Sequence, residues 1–212
     1  MPYKMNALRL LLLCTLVGLT GCFSLSHESP SERHYVLGGR QQEGAVAPAA
    51  RLNGLLIGVR QLDLARYLET PLLVVRHEPH EIRYSEFHRW GEDLGGGVNR
   101  AVAGYLAARA PFEGVDVVPW PPRTQHDFLI QLQLLRFEGL IPEAPAASDG
   151  EAHVLVNWQI LAGLNGAVLV RGTTDYRADW SVGDYEDLVT LLDTGLRQLS
   201  DELIAGLESV VA

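Results

Sequence analysis

The fold is decided by residues 152–180, which read AHVLVNWQILAGLNGAVLVRGTTDYRADW. Apolar and β-branched side chains dominate two runs, Ala152–Leu161 and Ala167–Trp180, and this composition predicts two strands. Leu164-Asn165-Gly166 lies between them and predicts a tight hairpin turn, because Asn-Gly accepts the positive φ angles that such a turn needs. The stretch therefore predicts an antiparallel pair of strands.

After this hairpin, the sequence predicts a long closing helix over Asp184–Val210. Asp184 is a suitable N-cap, because its carboxylate can accept hydrogen bonds from the free amides of the first turn. The apolar face of the helix is marked by leucines at helical spacing: Leu188, Leu191, Leu192, Leu199, Leu203 and Leu207.

A second helix is predicted over Glu92–Arg109, where apolar residues recur every three or four positions and Pro111 follows. Gly95-Gly96-Gly97 weakens its first turn by roughly 1 kcal/mol per glycine relative to alanine, which favours a later start. The segment Leu62–Leu68 is interpreted as a connecting turn. The segment Phe87–Trp90 is interpreted as the chain leaving a hairpin. Strands are predicted at His34–Leu37, Leu55–Val59, Leu72–Arg76, Glu81–Tyr84, Val115–Val118 and Asp127–Glu138.

The order strands, helix, strands, helix predicts the α+β class. We expect a mainly antiparallel or mixed β-sheet with two helices packed on one face. Residues 33–210 are expected to form a single domain after a lipoprotein signal peptide.

The N-terminus has the features of a secretory leader. Lys4 and Arg9 supply positive charge, and Leu8–Leu19 is an apolar run. The sequence Leu19-Thr20-Gly21-Cys22 resembles the bacterial lipobox, which implies cleavage between Gly21 and Cys22. Residues 1–21 would then be the signal peptide, and residues 22–32 the acylated cysteine and a polar tether. The alternatives are a secreted protein with a leftover Cys22, or an uncleaved N-terminal helix.

The lipobox resemblance implies a diacylglycerol on the Cys22 thiol and an N-acyl chain such as palmitate on its amine, and we expect no other cofactor. Phe23 rather than Asp follows the cysteine, which in similar lipoproteins implies the outer membrane, on its periplasmic face. Cys14 leaves with the leader, so the mature domain would hold no disulfide.

The charge of the chain limits its partners. The formal net charge is −9, and removal of the leader takes away the positive Lys4 and Arg9. An acidic domain argues against nucleic acid as a partner and against broad adhesion to anionic lipid.

Short motifs along the chain resemble the PqiC-type (YmbA-type) lipoproteins, the auxiliary lipoprotein component of ABC-type and MCE-domain transport systems. The motifs follow the lipobox in order: Tyr35-Val36-Leu37, Ile57-Gly58-Val59, Arg66-Tyr67-Leu68, Pro71-Leu72-Leu73-Val74, the segment Tyr84–Leu94, and the final helix around Leu199–Ala205. The resemblance implies an outer-membrane subunit that docks on a PqiB-like MCE-domain protein, supports lipid transport between membranes and envelope integrity, and can form a homo-oligomeric ring.

Tyr35, Arg89 and Trp90 are the candidate partner-binding residues, because Trp and Arg are common interface anchors. The alternative is that Trp90 packs into the core and that Arg89 pairs with an acid such as Glu92. His77-Glu78-Pro79-His80-Glu81 lacks the spacing of a zinc helix and is interpreted as a turn, so we expect no metal.

The sequence shows no arrangement typical of catalysis, and we expect a non-enzymatic protein. Two other functions remain open: a periplasm-facing carrier that binds lipid in an apolar cavity between sheet and helices, and a structural envelope lipoprotein without a transport role.

Overall fold

The structure is a computed structural model that describes residues 31–39, 50–120, 124–142 and 149–211. The predicted signal peptide, Gly21, Cys22 and nearly all of the predicted tether lie outside the described residues. No helix within the described ranges has the length and apolar character needed to cross a membrane.

The described chain contains nine strands and two α-helices, with short 3₁₀ turns at Ala50–Leu52 and Arg66–Leu68. The strands are β1 (Arg33–Tyr35), β2 (Leu56–Val59), β3 (Asp63–Leu64), β4 (Leu72–Glu78), β5 (Glu81–Trp90), β6 (Gly114–Val117), β7 (Phe128–Leu140), β8 (Asp149–Ala162) and β9 (Val168–Ser181). The helices are α1 (Leu94–Arg109) and α2 (Tyr185–Val210).

Strand β7 is the centre of the sheet. One of its edges pairs antiparallel with β8 from Phe128 to Leu140. Its other edge pairs in parallel with three shorter strands in succession, namely β2, β3 and β4. The main path of the sheet is β1-β5-β4-β7-β2-β6, with β9 beyond β8. Antiparallel and parallel pairs coexist, and the helices pack on the sheet, so the predicted α+β fold with a mixed sheet is confirmed.

The alternation predicted for β7 is confirmed by burial. Ile130, Leu132 and Leu134 are fully buried, whereas Gln131 and Gln133 point to the other face. A register shift between Leu134 and Arg136 changes the alternation. Because of this shift, Phe137 takes the next buried position beneath the helices.

The β8–β9 hairpin is as predicted, and Gly166 adopts φ of +68° in its turn. The closing helix is also confirmed, since the Asp184 carboxylate accepts a hydrogen bond from the Asp187 amide and caps α2. In α1 the cap is Asp93, which accepts from the Gly96 amide. The helix therefore begins at Leu94 rather than at Glu92.

The predictions for the N-terminal strands were partly wrong. β5 continues through Phe87–Trp90, which the sequence analysis interpreted as the chain leaving a hairpin. β5 extends this far because its far half gains a second partner, β1, through parallel pairing. β1 itself ends at Tyr35 rather than at Leu37, and the predicted turn Leu62–Leu68 contains the short strand β3.

Two glycines let α2 lie close to the sheet. A β-carbon at Gly195 would lie 2.7 Å from Val154 Cγ2 and 2.9 Å from Tyr176 Cδ1. A β-carbon at Gly206 would lie 2.9 Å from Ile160 Cδ1. Val154 is fully buried, so its side chain has little room to move. The helix–sheet contact therefore depends on the absence of a side chain at these positions.

We expect Gly195→Ala to lower the free energy of unfolding by about 1–3 kcal/mol, because the added methyl group overpacks the contact with Val154 and Tyr176. Gly104→Ala in α1 is the matched control: nothing lies within 4 Å of its β-carbon position. The control should raise stability by up to about 1 kcal/mol through helix propensity. Urea unfolding of both variants measures the difference, and equal effects would contradict the packing argument.

Candidate interaction surface

The β1–β5 pairing brings the three predicted partner-binding residues together. Tyr35 lies opposite Trp90 in the register, and His34 lies opposite Arg89. β1 is the terminal strand of the described sheet, so its outer edge has no strand partner among the described residues. The resulting surface consists of this edge and the side chains around it.

The side chain of Trp90 faces the core. It is 6% exposed, and its ring centroid lies 5.7 Å from that of Phe137. Arg89 remains one-third exposed and forms an ion pair with Glu32 at 3.1 Å. The acid suggested by the sequence, Glu92, pairs with Arg100 instead. Trp90 thus supports the surface from below, and Arg89 contributes to it directly.

Three aromatic rings from distant parts of the chain stack at this surface. The Tyr35 hydroxyl is hydrogen-bonded to His88 Nδ1 at 2.9 Å. The His88 ring stacks on Tyr185, the first residue of α2, with centroids 3.9 Å apart and planes 15° apart. Tyr185 in turn meets Trp180 edge-on at 5.9 Å. The stack therefore joins β1, β5 and α2.

Charged groups surround the aromatic stack. Arg33 pairs with Glu186 at 3.0 Å, and its guanidinium lies 5.7 Å from the Tyr35 ring centroid. Burial lowers the pKa of His88, and the positive charge of Arg33 lowers it further. Burial also raises the pKa of Tyr35. The imidazole is thus held towards its neutral form, in which it both stacks and hydrogen-bonds.

A cleft of about 500 Å³ lies between β1 and the first half of α2. Val36 lines it and is 56% exposed. The α2 side of the cleft is lined by Val189 and by the polar residues Glu186, Thr190, Asp193, Thr194 and Arg197.

Asp193 fixes the segment after β1 against both helices. Its carboxylate accepts hydrogen bonds from the Gly38 amide at 3.0 Å and from the Tyr105 hydroxyl at 2.6 Å. Arg197 donates to the same carboxylate at 3.0 Å. Burial and the neighbouring carboxylate raise the pKa of Tyr105, so the phenol stays protonated and donates. These hydrogen bonds hold the residues that line the cleft in one arrangement.

This arrangement offers several kinds of groups that can contact a partner. It offers a strand edge that has no strand partner among the described residues, aromatic faces and charges of both signs, which protein interfaces commonly use. The segment His77–Glu81 is the β4–β5 hairpin, with its turn at Pro79-His80, as predicted. Within the part of the chain that the structure describes, no three His, Cys, Asp or Glu side chains converge as a metal site would require.

Sequence reasoning missed four residues of this surface: Arg33, His88, Tyr185 and Asp193. Each acquires its role from a partner far away in the chain, as Asp193 does from Gly38. His88 lay within the segment that resembles the lipoprotein family, but its stacking partner Tyr185 had no local signal. The roles of these four residues become visible only from the pairing of β1 with β5 and the position of α2.

Comparisons with known proteins address the family and the fold. The family model described as ABC-type transport auxiliary lipoprotein component matches residues 35–204. A crystal structure from Xanthomonas campestris, assigned to family DUF330, is similar at a TM-score of 0.65 and 17% identity, covering 81% of this chain and 92% of that one. An uncharacterised protein structure matches at a TM-score of 0.61 and 14% identity, covering 84% and 99%. No curated protein sequence matches the chain.

The lowered pKa of His88 predicts how the stability of the folded domain depends on pH. The unfolded state takes up a proton near the ordinary pKa of about 6.5, whereas the folded state does so only at lower pH. Stability contributed by neutral His88 is therefore complete above about pH 6.5 and is lost as the pH falls through the folded pKa.

We expect His88→Phe, which keeps a ring against Tyr185, to flatten the dependence of unfolding free energy on pH between about 7.5 and 5. His153 also has a lowered pKa, but it is present in both proteins, so the difference in slope isolates His88. Urea unfolding at several pH values gives the slopes, and identical slopes would contradict the prediction.

Proposed function

The chain belongs to the ABC-type transport auxiliary lipoprotein component family, and from this membership we propose a specific role. The protein is the outer-membrane lipoprotein subunit of an MCE-domain lipid transport system that links the inner and outer membranes. It faces the periplasm, supports envelope integrity and acts without catalysis. The observation that carries the proposal is the family match over residues 35–204, which spans both helices of the fold except the last turns of α2.

The lipid anchor gives the proposal its physical basis. One acyl chain gives only marginal membrane affinity, at roughly 0.8 kcal/mol per buried CH₂ group, whereas the three chains expected on Cys22 hold a protein almost permanently. Anchoring also confines the domain to one leaflet. Docking on a partner that reaches the same membrane then occurs at high effective concentration. The anchored cysteine thus favours a subunit of a membrane-bridging assembly.

The β1 surface is the proposed docking site for a PqiB-like MCE-domain protein. Tyr35 and Arg89 lie on it, and Trp90 holds it from the core side. The Asp193 contacts keep the cleft in one shape, which lowers the ordering cost of binding. A ring of several copies is part of the same proposal, since MCE proteins form ring-shaped conduits in the family that the sequence resembles.

A lipid carrier is the less favoured function, because the space between α2 and the sheet is closely filled. Side chains approach Gly195 and Gly206 so closely that a single added carbon would clash. An acyl chain could enter there only if the core were repacked. A structural envelope lipoprotein remains the other alternative, and neighbouring genes for a permease, an ATPase or an MCE protein would favour transport over it.

Cys22→Ser should remove the protein from the outer-membrane fraction, because the hydroxyl cannot accept the thioether-linked lipid. Cys14→Ser is the matched control, since it changes a cysteine of the leader and leaves the lipobox intact. Sucrose-gradient fractionation of the envelope measures how much of each variant is recovered with the outer membrane. Unchanged outer-membrane recovery of Cys22→Ser would contradict lipid anchoring.

Affinity purification after crosslinking in cells should recover an MCE-domain protein with the wild-type chain. Arg89→Ala should reduce this recovery, because it removes an exposed cation of the β1 surface. Arg83→Ala is the control: it removes an exposed arginine of the same strand that pairs with Glu81 instead. Absence of an MCE protein from the wild-type sample would overturn the function, and equal loss in both variants would overturn the assignment of the surface.

A further inference from the structure

A second cleft, of about 770 Å³, lies beside the first turn of α1. Most of its lining comes from that turn, from residues that follow β2, and from the end of β6. β2 and β6 are parallel neighbours, so both strands end at the same edge of the sheet. Crevices at the carboxyl ends of parallel strands are frequent ligand sites. We call this space the α1 cleft.

The lining of the α1 cleft is acidic. It carries the exposed carboxylates of Asp63, Glu69 and Asp93, and its described residues include no Arg, Lys or His. None of these three carboxylates forms an ion pair within the described residues, whereas the neighbouring Glu92 pairs with Arg100. A cleft whose negative charge is not compensated attracts cations and repels anions.

Asn99 of α1 lines the same cleft and is only 4% exposed. Its Nδ2 donates to the Arg60 carbonyl at 3.0 Å, and because a carbonyl only accepts, this bond fixes which end of the amide is the nitrogen. Asn99 Oδ1 has no hydrogen-bond donor among the described residues. Arg60 does not line the cleft, so Oδ1 is the end of the amide that is left for it. A buried acceptor without a donor is unfavourable, and a donor on a ligand would remove this cost.

The α1 cleft has open space and an aliphatic wall. Outside the helix backbone, the nearest atom that a β-carbon at Gly95 or Gly96 would meet is Asp93 Oδ2, at 3.3 and 3.4 Å. The first turn of α1 thus leaves room for a ligand. Other lining residues are aliphatic, and methylene groups can pack against them: Leu62, Leu64, Val117, Val118 and Pro119.

These features define the chemistry of the ligand. It carries positive charge, it donates hydrogen bonds, and it has an aliphatic part. A single divalent ion matches less well, since no three acidic, His or Cys side chains in the described ranges converge as metal ligands. A quaternary ammonium ion matches less well because it has no hydrogen to donate to Asn99 Oδ1.

We propose that the α1 cleft binds a linear aliphatic polyamine. One ammonium group donates to Asn99 Oδ1, and the others pair with Asp63 and Glu69 at the rim. The methylene segments between them lie on the aliphatic wall. Asp93 keeps its role as the cap of α1, where it accepts from the Gly96 amide. This inference goes beyond the proposed transport function and does not depend on it.

The first test varies the ligand and keeps the protein unchanged. Isothermal titration calorimetry of the full-length lipidated chain in non-ionic detergent, with spermidine as the probe, should show saturable binding to one site. Spermidine that is methylated at every nitrogen keeps the charges and the aliphatic stem but has no hydrogen to donate. It should bind about tenfold more weakly, because the hydrogen bond from a charged donor to Asn99 Oδ1 is lost. No saturable binding of spermidine, or equal affinity for the two ligands, would overturn the proposal.

The second test varies the protein. Glu69→Gln should weaken spermidine binding about threefold, since an exposed ion pair contributes little. Asn99→Ala should weaken it about tenfold. Glu113→Gln is the matched control: it removes an exposed carboxylate without an ion pair among the described residues, at the other end of β6, and should leave the affinity unchanged. Asn99→Ala also loses the bond to Arg60, so urea unfolding must show that this variant is folded.

Three outcomes of these titrations would contradict the assignment of the α1 cleft. Equal weakening by Glu69→Gln and Glu113→Gln would show attraction by the overall charge rather than by the cleft. Tighter binding of magnesium chloride than of spermidine, with loss of magnesium binding in Glu69→Gln, would assign the cleft to a metal ion. Tighter binding of an oligolysine peptide, with the same dependence on Asn99, would assign it to a protein segment.

Discussion

The pairing of both edges of β7 is the constraint on which the rest of the structure depends. β8 uses one edge along its whole length, and β2, β3 and β4 share the other. The β4 pairing sets Arg76 opposite Leu140, within reach of the fully buried Glu138. Glu138 Oε1 lies 2.6 Å from Arg76 Nε and 2.8 Å from Arg136 Nη1. A buried carboxylate is tolerated only when it is paired, so this register admits little slippage. The hydrogen bonds to Glu138 also raise the pKa of Arg76, which keeps the guanidinium charged.

From β7 the sheet extends in two directions, and the interaction surface forms where the two ends meet again. On one side, β4 and β5 lead to β1 and therefore to Tyr35 and His88. On the other side, β8 and β9 lead to α2, which begins with Tyr185. The His88–Tyr185 stack connects the β5 side of the sheet with α2. Asp193 of α2 connects the two sides a second time, through its hydrogen bonds with Gly38 and Tyr105. The surface therefore depends on the whole fold rather than on one motif.

The sequence predicts those parts of the fold whose cause is local. The alternation around Ile130–Leu134, the Asn165-Gly166 turn and the leucine stripe of α2 depend on neighbours a few residues away, and all three are confirmed. The length of β5 and the paired state of Arg89 depend on β1 and Glu32, which lie more than fifty residues earlier. No periodicity encodes such a pairing, and this is why Tyr35 and Arg89 could be named as candidates while their contacts could not.

The strand directions also give the domain two distinct ends. Because β1 and β8 run the same way, Arg33 enters the sheet at one end, and the β8–β9 turn lies at the other. The long antiparallel hairpin on β7 thus extends away from the end at which Arg33 enters the sheet, and α2 packs along β8 and β9 through Gly195 and Gly206. The pairing that fixes the buried Glu138 therefore also places the β8–β9 turn, with the exposed Leu164, at the end of the sheet opposite the start of β1.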